Sequence, residues 1–290
     1  MRKLLFTIAC ALHVVLCFAQ DKPVVAVEQF TSSGASTNYV SLIRNKVIEG
    51  IQGTGRIIVR DVESDKNLDN EASRRRQESA LSDATARTGE MNTLGANYIL
   101  SGNVSTVKSE WVDGTDGQKG YYKGIVKWDV KILDASNGSV HFSKSYDYSG
   151  FTGEIDEDRE KAISKTCDRA SRSMGDLVDD AFPIVGLILK VESTNSKNTK
   201  AETVYIDLGT AAGVTKGQQL DVYIETDLAG EIGRTLIGDL TAKEVMSASR
   251  TLCSVGKGGD KVLDAANKGQ KLIVITRKAK GLGSLVRGIL

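Results

Sequence analysis

Leu94-Gly-Ala-Asn-Tyr-Ile-Leu-Ser-Gly-Asn-Val104 and the strand-like residues 124–143 say most about the architecture of this chain. The first stretch predicts the end of a helix, then a glycine, and then a strand that enters a sheet. In the second, apolar residues alternate with mostly charged ones, and Asn137-Gly138 is a strong signal for a hairpin turn. We therefore expect paired strands with one apolar and one mostly polar face.

The residues before these stretches predict two more strands and a helix. Residues 24–27 form a continuous apolar run that suits a buried strand, and residues 56–61 predict a second strand. Residues 38–53 predict a helix, because their apolar residues recur at the spacing of one helix face. Residues 65–94 are polar and include Arg74-Arg75-Arg76, which indicates a solvated helix face or a contact with an acidic partner or lipid headgroups. The apolar positions of the first helix are Val40, Ile43, Val47 and Ile51.

A long helix is expected to close this first part of the chain. Residues 156–182 place their apolar side chains on one side of a helix, and Pro183, which cannot continue a helix, follows them. The element order is then β-α-β-α-β-β-β-α, which predicts an α/β (α+β) fold with a mixed sheet flanked by helices. The apolar side of the closing helix consists of Ile163, Cys167, Ala170, Met174 and Leu177.

The residues after Pro183 predict a second, different domain. Short strands separated by glycines indicate a small β-barrel-like domain over residues 183–276, after a first domain over residues 20–182. The basic tail, residues 277–290, is either a frayed end or a segment that docks on a membrane surface or in a partner's groove. The barrel strands are expected at residues 184–191, 203–208, 220–224, 235–242, 249–255 and 271–275.

Two glycine-rich loops of the second domain could be mistaken for phosphate-binding loops. In the loop of Gly209, Gly213 and Gly217, Lys216 is followed by glycine instead of the Ser or Thr that a P-loop needs. This loop therefore predicts a turn of the barrel. Residues 256–260 also lack the hydroxyl residue, and we expect a hairpin there.

Residues 1–19 have the pattern of a signal peptide. A positively charged start and an apolar run end at Cys17-Phe18-Ala19, and the run is short for a membrane span. A retained N-terminal anchor is the alternative. Lipidation requires a small residue before the modified cysteine, and Leu16 precedes Cys17, which disfavours a lipid anchor.

Composition argues against most kinds of active site. The 38 basic and 37 acidic residues nearly balance, so nothing calls for nucleic acid. Outside the leader His141 is the one histidine, and it would have to serve any Ser-His-Asp or Cys-His site, although we expect it to be a partly exposed strand residue. Cys167 and Cys253 predict two buried thiols or, since the periplasm permits it, a disulfide. We predict no catalytic, cofactor-binding or metal-binding residue.

Two groups of carboxylates could suggest chemistry. Asp113, Thr115, Asp116 and Asp129 do not have the spacing of a calcium loop that ends in a bidentate Glu, so they predict a solvated hairpin tip. Asp134 and Asp147 lie on opposite sides of the Asn137-Gly138 turn, but paired carboxylates are common in sheets and no cleft follows from them.

The residues of the first paragraph resemble a known family. Gly95-Ala96-Asn97-Tyr98 with Gly102 is similar to the "Gly-Ala-Asp-Tyr … Gly" motif of the CsgG-like family, named for the curli secretion channel. Residues 130–140 are similar to the hairpin of that family, and residues 209–217 resemble the C-terminal domain of FlgT-like proteins. Relatives include lipoproteins that activate peptidoglycan synthases, FlgT and the N-terminal domain of TolB. The resemblance implies an envelope assembly protein without catalytic residues.

This chain departs from the curli channel in two respects. It lacks a convincing lipid-attachment site, since Leu16 precedes Cys17 and Ala9-Cys10 lies midway through the apolar run. Residues 146–153 also run almost directly into the closing helix, where the channel has its second membrane hairpin. The first hairpin, residues 97–132, has marginal length for a membrane and carries Lys108 and Glu110. These departures favour an accessory protein over a pore.

The resemblance implies a non-enzymatic periplasmic protein, associated with the outer membrane of a Gram-negative envelope, that acts as an assembly or secretion accessory. Its expected partners are envelope proteins of the secretion or cell-wall machinery, with self-association and outer-membrane surface contact as further expectations. No cofactor and no nucleic acid are expected. The alternatives are an activator of a peptidoglycan synthase and an oligomeric outer-membrane secretion channel subunit.

Overall fold

A computed structural model describes residues 22–62, 95–114, 119–228 and 231–277. The predicted leader, the charged residues 65–94 with Arg74-Arg75-Arg76, and the tail beyond Arg277 lie outside the described residues. In the described residues, no helix has the length and apolar character needed to cross a membrane.

The first part of the chain, residues 22–182, is here called the sheet unit. Its strand order is β3-β1-β4-β5-β6, with the short β2 on β4 and β7 on β5. β1 is parallel to β3 and β4, whereas β4, β5 and β6 are antiparallel, so the sheet is mixed as predicted. The elements are β1 (Val24–Val27), β2 (Thr31–Ser32), α1 (Thr37–Gly53), β3 (Ile58–Asp61), β4 (Tyr98–Val112), β5 (Tyr121–Asp134), β6 (Val140–Tyr148), β7 (Ile155–Asp156), α2 (Arg159–Cys167), α3 (Arg169–Arg172) and α4 (Met174–Ala181).

The core of the sheet unit lies between the apolar face of the sheet and the helices. The four predicted apolar positions of α1 are all buried. On β5 the predicted alternation is confirmed, since Val126, Trp128, Val130 and Ile132 are buried while the intervening positions are partly or fully exposed. The apolar faces of α1 and of the closing helices therefore cover one face of the sheet.

The motif around Asn97 fastens β4 to β1. Gly95 has a φ of 63°, which favours glycine, and it turns the chain into the strand. The Asn97 side chain then accepts a hydrogen bond from the Val24 backbone N–H (2.9 Å). The Asn97 backbone N–H donates to the Val24 carbonyl (2.8 Å). At Gly102, a Cβ would lie 2.6 Å from the Phe30 ring, so the close approach of that ring requires glycine.

The hairpin turn at Asn137-Gly138 is confirmed, and a bulge follows it in β6. Gly138 has a φ of 72°, and the Asp134 side chain accepts a hydrogen bond from the Ser136 N–H (2.8 Å). The strand register shifts between Ile132 and Leu133, which leaves His141 as the extra residue of β6. Such a bulge redirects a side chain.

The single closing helix predicted over residues 156–182 is wrong in detail. The structure has three short helices, interrupted at Asp168 and Ser173, although both residues keep helical backbone angles. The Thr166 hydroxyl donates to the Ala162 carbonyl one turn earlier (2.8 Å), a bond that bends helices. The five apolar positions predicted for this helix are nevertheless all buried.

The second part, residues 183–277, is here called the barrel unit. Its six strands close in the order β10-β11-β12-β9-β8-β13, which confirms the predicted barrel-like character. An α-helix packs on it. The elements are β8 (Val185–Thr194), β9 (Ala201–Ile206), β10 (Gln219–Leu228), β11 (Glu231–Ser247), β12 (Arg250–Val255), α5 (Gly259–Asn267) and β13 (Leu272–Thr276).

Of the two predictions for the glycine-rich loops of the barrel unit, one is confirmed and the other is wrong. The Gly209 loop is a turn between β9 and β10, as predicted, and a Cβ at Gly209 would lie 2.1 Å from the Ser247 carbonyl oxygen. The hairpin predicted at residues 256–260 is wrong, because α5 begins at Gly259 and buries Val262 and Ala265. The division of the chain into two domains at Pro183 stays a prediction.

Candidate functional site

His141 connects two elements of the fold. Because of the bulge in β6, its Nε2 lies 2.8 Å from the Ala181 carbonyl oxygen, to which it donates. The imidazole ring packs against Tyr98 (centroids 4.7 Å apart) and Phe182 (5.4 Å apart). His141 thus joins the end of α4 to the sheet, and it lies on a strand as the prediction of a partly exposed strand residue required.

The predicted carboxylate groups do not come together. The Asp134 carboxylate accepts a hydrogen bond from the Ser136 backbone N–H (2.8 Å), and Asp147 forms an ion pair with Lys127 (2.8 Å). Those partners hold the pKa of both carboxyls below their usual range. Both side chains therefore stabilise the hairpin and leave no shared site.

The aspartates considered for a calcium loop also have separate partners. Asp113 accepts from the Trp111 indole N–H (2.8 Å), and Asp129 accepts from the Asn103 side chain (3.3 Å). Thr115 and Asp116 lie outside the described residues. Within the described ranges, no cluster of His, Cys, Asp and Glu could hold a metal ion.

The two cysteines are buried thiols. Cys167 belongs to the core of the sheet unit and Cys253 to that of the barrel unit, and neither forms a disulfide. Burial raises the pKa of each thiol to about 12, so both stay protonated and unreactive at neutral pH.

A group of exposed apolar side chains lies at the far end of the β4–β5 hairpin. We call Trp111, Tyr122, Phe151 and Ile155 the hairpin end. β7 pairs Ile155 with Lys123, so Ile155 lies on the face of the sheet opposite to the cross-strand pair of Trp111 and Tyr122, and Phe151 lies in the loop before β7. Phe151 is fully exposed, and Trp111 and Ile155 are 53% and 50% exposed. Large apolar side chains exposed at one end of a sheet are typical of an interaction site.

Trp111 is held rigidly although it is exposed. Its ring meets the Tyr122 ring edge-on, with centroids 4.9 Å apart, and its N–H is bound by Asp113. A Cβ at Gly120 would lie 2.2 Å from the Trp111 ring, so glycine lets the ring lie on the opposite strand. Such a fixed aromatic ring loses little side-chain entropy when a partner covers it.

Two ion pairs lie beside the hairpin end. Lys108 lies 2.8 Å from Glu110, and Lys165 lies 2.6 Å from Asp156. Both pairs are on or near the exposed strands, where such pairs contribute little to stability. They leave the aromatic and aliphatic side chains as the distinctive feature of this end.

A second feature is the seam between the sheet unit and the barrel unit. Arg56 is buried there and donates to the Asp179 carboxylate and to the Phe182 carbonyl. Gln218 of the barrel unit donates to the same carboxylate (3.3 Å). Burial lowers the pKa of the Arg56 guanidinium, and Asp179 offsets this effect. Gly213 has a φ of 76°, and a Cβ there would lie 2.4 Å from the Arg56 side chain.

The seam borders a cleft of about 480 Å³ whose walls include Lys22, Asn97, His141 and Phe182. Its polar groups are largely engaged in joining elements of the fold. We therefore regard the hairpin end as the candidate functional site.

Sequence reasoning missed both the hairpin end and the seam. Trp111 follows the alternation of a sheet strand, and that pattern does not reveal where the helices stop covering the sheet. Phe151 lies in Ser149-Gly-Phe-Thr-Gly153, where the flanking glycines were the one available signal for an exposed loop. Arg56 and Asp179 are 123 positions apart, beyond the reach of local patterns.

Comparison with known proteins gives only distant structural similarity. No family model matches the chain, and no curated protein matches it. A PelC dodecamer from Paraburkholderia phytofirmans is 16% identical, covers 52% of this chain and 85% of its own, and has a TM-score of 0.29. The LpoB C-terminal domain from Escherichia coli is 12% identical, with 44% and 84% covered and a TM-score of 0.30.

Lipoprotein GNA1162 from Neisseria meningitidis is also 12% identical, with 43% and 81% covered and a TM-score of 0.31. At these identities and scores, no function or partner follows from the similarity. Membership of the CsgG-like family stays a prediction.

Proposed function

We propose that this protein is a non-enzymatic accessory of assembly or secretion in the bacterial cell envelope, and that it acts by binding other proteins. The hairpin end is the observation that carries the proposal. The signal-peptide pattern of residues 1–19 and the resemblance to the CsgG-like family support the location in the envelope.

The exposed apolar side chains of the hairpin end would be stabilised if a partner buried them. Burying one large apolar side chain stabilises an interface by about 1.5–3 kcal/mol. Phe151 gains none of this in the isolated chain, since it is fully exposed, and Trp111 gains only part. Aromatic anchors of this kind dominate many protein interfaces. A protein partner that covers both side chains would gain most from this surface.

Sheet edges offer a second means of association. In the described part of the chain, β3 and β6 are the outermost strands of the sheet unit, whereas the strands of the barrel unit form a closed ring. An outer strand presents unpaired backbone groups that can bind another strand. We therefore place self-association or partner docking on the β3 edge of the sheet unit, away from the control position Val140 on β6, and a second partner on the barrel unit.

Variants of the hairpin end test the proposal. Trp111→Ser and Phe151→Ser should each weaken recovery of partner proteins from envelope extracts without changing the fold, measured by circular dichroism. Val140→Ser is the matched control, because Val140 is 57% exposed at the opposite end of the same sheet. Equal recovery by all three variants and the unchanged protein would overturn the proposal.

The same experiment separates the alternatives. Recovery of a glycan polymerase would favour an activator of a peptidoglycan synthase, whereas recovery of fibre subunits or secretion components would favour an export accessory. Light scattering addresses the channel subunit, since a strict monomer in both buffer and detergent would exclude a ring.

A further inference from the structure

A groove on the barrel unit lies apart from the hairpin end. Its volume is about 400 Å³, and Leu189, Tyr205 and Met246 supply its apolar surface. Leu189 and Met246 are 50% and 51% exposed, unusual for apolar residues within strands. The remaining walls are the charged residues Lys190, Glu192 and Arg250.

Two β-bulges produce this exposure. On β8, Ile188 pairs with Ile206 and Lys190 pairs with Tyr205, so Leu189 is an extra residue. On β11, Val245 pairs with Thr251 and Ser247 pairs with Arg250, so Met246 is another extra residue. An extra residue leaves the hydrogen-bond ladder and its side chain is redirected.

Both bulges therefore turn an apolar side chain into the same groove, on either side of Tyr205. Their backbone groups lie outside the regular ladder and are suited to hydrogen bonds with an extended ligand. Methionine adapts its shape to different apolar groups, which suits a recognition surface.

The charges of the groove indicate what kind of ligand it takes. Lys190 forms an ion pair with Glu192 (2.8 Å). Arg250 is exposed, and its side chain has no hydrogen-bond or ion-pair partner among the described residues. A guanidinium beside an apolar surface is complementary to a carboxylate next to an apolar side chain.

We propose that this groove binds an extended peptide segment of a partner protein, in which an apolar side chain is followed two positions later by an acidic residue on the same side of the segment. The apolar side chain packs on Leu189, Tyr205 and Met246, and the carboxylate pairs with Arg250. This inference rests on the proposed function in one respect, since it names the chemistry of the partner of the barrel unit.

A peptide fits the groove better than an anionic membrane surface does. Lys190 is paired with Glu192, so Arg250 is the one unpaired cation among the described residues of the groove, which suits the single carboxylate of a peptide better than the many phosphates of a membrane. A concave groove between two bulges also matches a narrow chain more closely than a flat bilayer.

Fluorescence anisotropy with labelled peptides tests this inference on the full chain. The probe, called the Phe-Glu peptide, is Gly/Ser-rich with a central Phe-Gly-Glu, and the matched Phe-Lys and Ala-Glu peptides carry Phe-Gly-Lys and Ala-Gly-Glu at the same place. We expect the Phe-Glu peptide to bind most tightly, and Arg250→Glu to weaken it about tenfold, as expected for loss of one charged hydrogen bond. Arg250→Glu should also improve binding of the Phe-Lys peptide.

Controls make each outcome decisive. Lys261→Glu changes the net charge equally from an exposed position on α5 outside the groove, and should bind like the unchanged protein. Trp111→Ser should also bind the peptide normally, which keeps this test independent of the hairpin end. Equal affinity for all three peptides would overturn the inference. Loss of binding to phosphatidylglycerol vesicles on Arg250→Glu, without any peptide binding, would also overturn it in favour of a lipid site.

Discussion

At the scale of single residues, the sheet unit depends on positions where a backbone must approach another element closely. Gly124 of β5 is one such position, since a Cβ there would lie 2.2 Å from the Thr166 hydroxyl and 2.4 Å from the Ala162 carbonyl oxygen. The helix α2 can thus lie directly on the strand. Asn97 performs a similar task between β1 and β4 with its side-chain carbonyl.

Gly124→Ala should destabilise the protein. The added methyl group meets the backbone of α2, which cannot move without disturbing the core, and such overpacking costs about 1–3 kcal/mol. Urea unfolding measures the loss. Gly175→Ala is the control, because Gly175 lies in α4 with nothing within 4 Å of its Cβ position. A Gly124→Ala protein as stable as this control would contradict the close approach of α2.

Asn97→Ala should cost about 1 kcal/mol, since it leaves the Val24 N–H without its acceptor. Asn97→Asp keeps an oxygen at the same place and should retain most of the stability. The two free energies of unfolding, measured at neutral pH, separate the hydrogen bond from simple side-chain removal. Equal losses in both variants would show that the bond contributes nothing.

At the scale of elements, the apolar periodicity of the sequence predicts a helix or strand correctly where one face of that element is buried. The face of α1 and the alternation of β5 were predicted for this reason. The start of α5 was missed because Gly256-Lys-Gly-Gly-Asp260 has the composition of a turn, although Gly258, with a φ of 75°, is the N-cap that directly precedes the helix. Asp168 and Ser173 keep helical backbone angles, so the apolar pattern of the closing helix continues across the breaks and does not reveal them.

The hairpin turn between β5 and β6 makes stability depend on pH. Hydrogen bonds from Ser136 lower the pKa of Asp134 in the folded protein, so the unfolded state binds more protons as the pH falls. Stability from this group is therefore present above its ordinary pKa, about 4, and is lost as the pH falls through the lower folded value. Asp134→Ala should lower the melting temperature at pH 7.

The same variant should differ less from the unchanged protein in strong acid, where Asp134 is protonated in both states. Thermal unfolding followed by circular dichroism at several pH values measures this difference. A gap in melting temperature that stays constant down to the lowest pH would contradict an ionised Asp134 in the turn.

At the scale of the whole molecule, the seam joins the sheet unit to the barrel unit through Arg56, Asp179 and Gln218. None of these contacts could be predicted from the sequence, because each joins residues far apart in the chain. The fold class could be predicted, since it depends on the order of elements. The hairpin end could not, since exposure depends on where the covering helices end.

Asp179→Ala should destabilise the protein by about 3 kcal/mol, because it leaves the buried Arg56 without its counter-charge. The double variant Arg56→Met and Asp179→Leu should lose much less, since it removes both charges and fills the space. Guanidinium unfolding of both proteins gives the comparison. A double variant less stable than Asp179→Ala would contradict desolvation as the reason for the loss.

The central claim, that the hairpin end binds a protein partner, can be tested by site-specific cross-linking in living cells. A photoreactive phenylalanine analogue replaces Phe151, and the same analogue at Val140 serves as the control. We predict a discrete protein adduct from position 151 that is absent from position 140 and lost when Trp111→Ser is added. No adduct from position 151, or equal adducts from both positions, would contradict the account.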